Sequence, residues 1–323
     1  MRQANLVSPQ NFLIESVDVP VPGPDEVLIE VELAGICGSD LHAYVGKHPF
    51  ISCPIVPGHE FVGAVAKTGD GSDGLIGRRV TVLPSLVCGE CYNCRIGKFN
   101  ICDSLRVIGC QAPGAFADYV LVPKDKVFVL PDSVCWDQGI LVEPLAVAVH
   151  AVRRIPHIAG QNVLVLGAGT IGLMTVLVLK AYGAGTIAVT DFKDDRLNLA
   201  KKLGADYVVN PAEENHEEAL RSRVGAIDLT FECVGVEATI NQGITLTRKG
   251  GSVVVAGVYE DDVRVDMGLV QDKEVKLLGT LMYDKEDYTE AIRLVERVPE
   301  VTDLITNRFR LEEVANAFEA IIS

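Results

Sequence analysis

The chain has 323 residues, enough for two domains that each bury a core of their own. Hydrophobic residues make up 48% and charged residues 23%, the balance of a compact folded protein, which argues against disorder. The formal net charge of −15 would repel a phosphate backbone and no Lys/Arg cluster offsets it, so nucleic acid is not expected as a partner.

From the N-terminus, Met1-Arg-Gln-Ala-Asn runs into ordinary globular sequence without the apolar region of a signal peptide, and a cytoplasmic protein is expected. Short β-branched runs bounded by Gly and Pro follow at 26–33, 61–67, 79–83 and 116–122. This is the rhythm of an antiparallel β domain with irregular loops. From residue 162 the rhythm changes: apolar strand-like runs at 163–166, 186–190, 207–209, 229–233 and 252–258 alternate with helical patterns, the clearest at 170–182 and 194–203. Such alternation predicts a parallel, doubly wound sheet. The most apolar stretch, 163–179, contains three glycines and two threonines and reads as a buried strand, turn and helix start, so no membrane span is expected. After about 282 the chain predicts two amphipathic helices, at 285–297 and 311–322, that return to the first domain. The expected division is therefore 1–144, 145–281 and 282–323. No internal repeat or low-complexity segment interrupts it.

Cys88, Cys91, Cys94 and Cys102 place four thiols on one short lobe. Thiolates at this spacing suit one tetrahedral Zn²⁺ in a closed structural site. A ferredoxin-type run would have a shorter last gap and a Pro after the fourth Cys, whereas Asp103 stands there. Two disulfides are the other reading, but nothing suggests export.

Gly167-Ala-Gly169-Thr170-Ile171-Gly172 lies between a predicted strand and a predicted helix, the context a dinucleotide fingerprint requires. The first Gly allows the turn, the second lets backbone approach a pyrophosphate, and the third lets helix pack on strand. Asp191 closes the second strand, where a carboxylate accepts both ribose hydroxyls and repels a 2′-phosphate. NAD is favoured over NADP, although Lys193 and Arg196 stand nearby.

Upstream of the thiol lobe stand Gly35-Ile-Cys37-Gly-Ser39-Asp-Leu-His42 and Pro57-Gly-His59-Glu60. With the thiol lobe and the glycine motif, and in this order, they closely resemble the zinc-dependent medium-chain dehydrogenase (alcohol dehydrogenase) family over nearly the whole chain. Ile140-Leu-Val-Glu143-Pro-Leu145 resembles the branch holding sorbitol and threonine dehydrogenases, and the stretch through Pro49-Phe50 is similar to bacterial sugar-acid dehydrogenases. The resemblance implies an α/β protein, with a GroES-like antiparallel β catalytic domain, a Rossmann doubly wound parallel sheet, and an active-site cleft between them. It implies catalytic zinc ligands at Cys37, His59 and Glu60, with Glu143 approaching or binding the ion, and leaves open which carboxylate is the resting ligand. The donor chemistry agrees independently, because a thiolate, an imidazole and a carboxylate leave one position open for substrate oxygen or water. Ser39 and His42 match the family's proton relay, and an imidazole suits its last step.

The expected activity is hydride transfer from a secondary alcohol, a polyol or sugar acid, to NAD⁺, with one catalytic and one structural zinc. A homodimer or homotetramer is implied by resemblance. The rivals are a threonine-type amino-alcohol dehydrogenase, for which no ammonium and carboxylate site is visible, and a nucleotide-binding redox sensor, which would have lost a ligand or relay residue. His48, His150, His157 and His216 have no role in this reading, and Cys53, Cys110, Cys135 and Cys233 are expected to be small buried apolar residues. Two departures from relatives stand out: a short segment at 68–77 and an end at Ser323, soon after the last helix.

Overall fold

A computed structural model describes residues 1–69, 71, 73–213 and 215–322. Parts of the short segment at 68–77, and the end at Ser323, lie outside the described residues; within that segment Asp73–Leu75 forms a 3-10 turn. The chain divides into two compact units, Met1–Glu143 with Ala291–Ser323, and Pro144–Glu290.

In the first unit, five strands form an antiparallel sheet in the order Tyr119–Pro123, Glu26–Ala34, Phe61–Thr68, Arg79–Val82, Val127–Val129. Alternate residues face the core, as the two-residue period of a strand demands. Val27 and Ile29, Val80 and Val82, and Val120 and Val122 meet Phe61 and Val65 in one cluster. Pairing sets the site, because Ala34 opposes Phe61 and Gly35 N–H donates to the Glu60 carbonyl at 2.8 Å. The two chemistry-bearing segments, which leave these strands at the same edge, are thereby held side by side.

An N-terminal hairpin, Arg2–Ser8 with Asn11–Ser16, builds a second cluster in this unit. The helix Val314–Ile322 closes it with Phe318, which is fully buried and lies 5.0 Å from Phe12 and 4.9 Å from Tyr44 between ring centroids. Expected as one helix over 311–322, this region instead opens with a 3-10 turn at Leu311–Glu313. Phe116 and Ala117, expected in a strand, pair with the hairpin instead. The hairpin itself escaped the reading, for its residues alternate in burial without strong apolar contrast.

The second unit is a six-stranded parallel sheet in the order Tyr207–Val209, Ile187–Thr190, Val163–Leu166, Ile227–Glu232, Thr247–Val255, Lys276–Gly279. All of Val163–Leu166 and Ile187–Thr190 is buried, as expected for strands covered on both faces. Strand order reverses between Val163–Leu166 and Ile227–Glu232, which makes their carboxyl ends the switch point where ligands bind such sheets. The strand expected at 252–258 ends at Val255, and Ala256 and Gly257 turn their N–H groups onto the Glu232 carbonyl.

The boundary to the returning segment falls inside the helix Lys285–Arg297, at Ala291 rather than at 282. The start of that helix is tied to the second unit by charge: Asp287 meets His150 Nδ1 at 2.7 Å and Arg153 Nη1 at 2.6 Å.

Candidate active site and metal centres

The sulfurs of Cys88, Cys91, Cys94 and Cys102 converge, with Cys88 to Cys102 at 3.5 Å and Cys88 to Cys94 and Cys91 to Cys102 at 4.0 Å. Thiolates around one tetrahedral Zn²⁺ at about 2.3 Å would stand about 3.8 Å apart, so these separations fit one ion. They do not fit disulfides, and all four cysteines are free. The short helix Tyr92–Arg95 turns the middle thiols inward, and N–H groups of Cys88, Cys91 and Cys94 each donate to a cluster sulfur at 3.4 Å. Backbone N–H groups of Asp103 and Cys94 pull the Cys91 thiol down to about 7. Cys94 is pushed up to about 12 by burial and by the Cys91 sulfur beside it. A dication among the four sulfurs would favour the thiolate at each.

The second centre joins Cys37, His59 and Glu60, whose ligand atoms all lie within 4.8 Å of one another. Gly35 makes room for it: a Cβ there would stand 2.3 Å from Glu60 Oε2. Gly58, at φ +99, turns the chain so that His59 and Glu60 follow directly into the sheet. Burial, and then the neighbouring Glu143 carboxylate, push the Glu60 carboxyl up to about 8. Glu143 itself is buried in the first turn of the helix Val142–Arg153. The structure thus groups Glu60 with the thiol and imidazole, and sets Glu143 as a second carboxylate beside it. Burial also raises the Cys37 thiol.

One residue that the sequence reading passed over belongs here. Asp40 is 1% exposed, its Oδ2 accepts the Cys37 N–H at 2.9 Å, and its Oδ1 has no hydrogen-bond partner. His59 Nδ1, also without a partner, lies 3.7 Å from that oxygen. A carboxylate behind an imidazole orients a metal-ligating histidine and leaves Nε2 for the ion. Two unpartnered buried polar atoms facing each other, with a soft and a hard donor in front, fit a bound cation better than a dry core. Although burial opposes charging His59, Asp40 and Cys37 outweigh it and raise its pKa well above the usual value. The residue lies on the short helix Gly38–Tyr44, and only its approach to His59 brings it into the centre.

Ser39 and His42, the relay residues of the sequence reading, lie on the short helix Gly38–Tyr44, half-buried and three positions apart on one face. The remaining cysteines divide. Cys110 is buried and its sulfur acts on His59, Cys53 and Cys233 are half-buried, and Cys135 is exposed at the start of the helix Trp136–Gly139, so the expectation of burial holds at Cys110 and fails outright at Cys135. A third grouping, His150 with Asp284 and Asp287, is an ion-pair network, since His150 and Arg153 take the two Asp287 oxygens.

In the parallel sheet, Gly167 takes φ +93, a Cβ at Gly172 would lie 1.9 Å from the Gly167 carbonyl oxygen, and a Cβ at Gly169 would meet nothing within 4 Å. The first and third glycines are thus required by the turn, and the second leaves the open space a pyrophosphate needs. The helix Thr170–Ala181 starts there, and its first hydrogen bond runs from Leu173 N–H to Gly169, so the N–H groups of Thr170, Ile171 and Gly172 precede the ladder. Asp191 Oδ2 accepts the Ala168 N–H at 2.8 Å and Oδ1 the Lys193 N–H at 2.9 Å, with Arg196 Nη1 3.7 Å away. A carboxylate offers about four acceptor sites, so ribose hydroxyls can still be received.

Residues 23–132 match the alcohol dehydrogenase GroES-like domain and residues 170–297 the zinc-binding dehydrogenase domain. The chain is 32% identical to sorbitol dehydrogenase of Bacillus subtilis over 99% of its length and 93% of that protein. It is 34% identical to L-threonine 3-dehydrogenase of Chelativorans over 97% of its length and 93% of that protein. Among solved structures, an Escherichia coli CFT073 alcohol dehydrogenase bound to NADH superposes with a TM-score of 0.93 at 30% identity, covering 100% of this chain and 95% of that one. A Sinorhizobium meliloti 1021 protein described as a zinc-binding dehydrogenase, bound to NADP, gives 0.89 at 33% identity over 98% and 94%. The chain belongs to the zinc-dependent medium-chain alcohol dehydrogenase family, in its sorbitol and threonine dehydrogenase branch. It is a zinc-dependent oxidoreductase acting on an alcohol CH–OH group.

Proposed function

We propose that this enzyme oxidises a secondary alcohol of a polyol or sugar acid, with NAD⁺ as hydride acceptor. The observation that carries the reading is the mixed donor set, in which the ligand atoms of Cys37, His59 and Glu60 come within 4.8 Å. Zinc held there would supply Lewis acidity that lowers the pKa of a substrate hydroxyl. With one thiolate and at least one carboxylate, such a site is harder than one built on two thiolates, and it suits ligands offering several oxygens. Cys37, His59 and Glu60 would hold the ion, and Asp40 would fix the imidazole. The Ser39 hydroxyl would accept the substrate proton as it gives up its own toward His42, and His42 would release a proton to solvent. Gly167 and Gly169 would shape the turn, the N–H groups of Thr170, Ile171 and Gly172 ahead of the helix ladder would receive the pyrophosphate, and Asp191 would accept from the adenosine ribose. The NADH-bound relative supports NAD, and the NADP-bound relative makes the comparison of the two cofactors the necessary control.

The test is kcat/KM for sorbitol, xylitol, a hexonate, threonine and ethanol with NAD⁺ and then NADP⁺. A polyol or hexonate with NAD⁺ should lead; ethanol ahead by tenfold would overturn the substrate class, and NADP⁺ ahead would overturn the cofactor. Threonine ahead would favour the second reading, which the L-threonine 3-dehydrogenase relative supports. Asp191→Ala should weaken NAD⁺ binding by about 1–3 kcal/mol, the scale of lost hydrogen bonds to a charged group.

The assembly belongs to the same reading: a homodimer or homotetramer, measurable by light scattering. No described helix is long and apolar enough to cross a membrane. Nine free cysteines fit a reducing compartment, which supports the cytoplasm as its place.

A further inference from the structure

Two loops stand at the carboxyl edge of the parallel sheet beside the glycine-rich turn, and one buried side chain holds both. Glu232 ends the strand Ile227–Glu232 and is 0% exposed. Its Oε1 accepts the N–H groups of Val234 and Gly235 and the Thr239 hydroxyl, each at 2.8 Å, while Oε2 accepts the Tyr259 hydroxyl at 2.8 Å. Its main-chain carbonyl accepts Ala256 N–H at 2.8 Å and Gly257 N–H at 2.9 Å. Residues 233–236 and 256–259 are thus fastened through a single residue. They also touch backbone to backbone, because a Cβ on Gly257 would lie 2.3 Å from Gly235 N and one on Gly235 2.3 Å from the Val258 carbonyl oxygen. Burial and the Glu232 carboxylate hold the Tyr259 phenol protonated, its pKa well above the ordinary value, as a donor should be.

What the loops display is apolar: Val234, Val236 and Val258 are 43%, 45% and 65% exposed. Val234 packs against the phosphate-facing turn, its Cγ2 only 2.7 Å from where a Gly167 Cβ would stand. A flat heteroaromatic ring tethered to a pyrophosphate in that turn would meet this surface at the switch point of the sheet. We propose that Glu232 is a positioning residue for the nicotinamide half of the dinucleotide, fixing both loops so that their valines form one face of its ring site. This rests on the reading that the enzyme binds NAD.

The test compares two ligands on the full-length, zinc-loaded protein: NADH, and ADP-ribose, which has the same adenosine and pyrophosphate but no nicotinamide. Glu232→Gln should raise the Kd of NADH by on the order of tenfold while leaving that of ADP-ribose within about twofold. Tyr259→Phe, which removes only the side-chain hold on the second loop, should show the same selectivity with a smaller loss, and it carries the test should Glu232→Gln fail to fold. Equal losses for both ligands, or no loss for either, would overturn the inference and leave the NAD reading intact. Wild-type protein binding neither ligand would overturn both.

Discussion

The two cysteine-bearing centres are built in opposite ways. Cys88, Cys91, Cys94 and Cys102 come from one short segment whose own N–H groups serve the sulfurs. Cys37, His59 and Glu60 are brought together only because Ala34 and Phe61 pair across a sheet, and the helix bearing Glu143 must then arrive from a third place. Four like donors close a coordination sphere and leave nothing for substrate. Three unlike donors, with a second carboxylate beside them, leave a position open and keep protons in play. The first arrangement suits holding a lobe together, the second suits chemistry.

Paired variants should break that symmetry most sharply. Glu60→Ala is expected to reduce kcat/KM by roughly a thousandfold or more, since it removes a donor from the reacting centre, with Tm changed by only a few degrees. Cys94→Ser should do the reverse, lowering Tm by about 10 °C through loss of the closed site, on the scale of a few kcal/mol in a domain of this size. Elemental analysis should find two zinc ions per chain in the wild type and one in each variant. A chelator should remove the Cys37/His59/Glu60 ion first, and activity should vanish before the fold. If both ions leave together, the contrast between the centres is wrong.

The same contrast explains what could be read in advance. The thiol lobe was legible residue by residue because its ligands are neighbours in sequence and spacing alone fixes their geometry. The glycine turn was legible because each glycine answers a local requirement, visible in the φ of +93 at Gly167 and the carbonyl beside Gly172. Cys37, His59 and Glu60 came through a resemblance, since nothing local joins 37 to 59. Asp40 was missed for the same reason: its carboxylate matters only across the gap to His59. Glu232 was missed because a carboxylate inside a strand of apolar residues has no sequence signature until Val234, Gly235, Thr239 and Tyr259 are seen to converge on it. The weakly patterned hairpin Arg2–Ser8 with Asn11–Ser16 was missed because its core partner, Phe318, lies at the other end of the chain.

Within the open centre, proton exit should be separable from metal binding. Ser39→Ala is expected to lower kcat by roughly a hundredfold, the lower range for general acid–base assistance, with zinc content and NAD⁺ affinity nearly unchanged. Stopped-flow NADH formation and equilibrium cofactor binding on the same preparation make the comparison. Full activity at neutral pH would mean that the proton leaves through water instead.

The smallest expected effect concerns Asp40, and pH sharpens it. In the metal-free protein burial raises Cys37 and lifts Glu60 from 4.5 to about 8, and Asp40 and Cys37 raise His59 against the opposing effect of burial. Raised pKa values mean that the metal-free fold binds more protons than the unfolded chain. The stability contributed by Glu60 is therefore present below about 4.5 and lost as pH climbs toward about 8, whereas that from His59 and Cys37 is lost only at pH above their own ordinary values. Zinc must displace those protons, so its affinity for this centre should fall by up to about tenfold for each proton and each pH unit below 8, while the thiol lobe keeps its ion longer. Asp40→Asn removes the charge that favours a protonated His59 but also loosens the ring. Proton competition should ease while orientation is lost, and the second effect should dominate, with kcat/KM down by about 10–100-fold, the range for losing a partner of a metal-bound histidine. Competitive chelation at pH 6 and pH 8 on wild type and variant separates the two contributions: the variant should hold zinc less well at pH 8 yet show the shallower pH dependence. A variant with wild-type activity and the same pH slope would mean that the 3.7 Å approach of Asp40 to His59 does no more than pack the core.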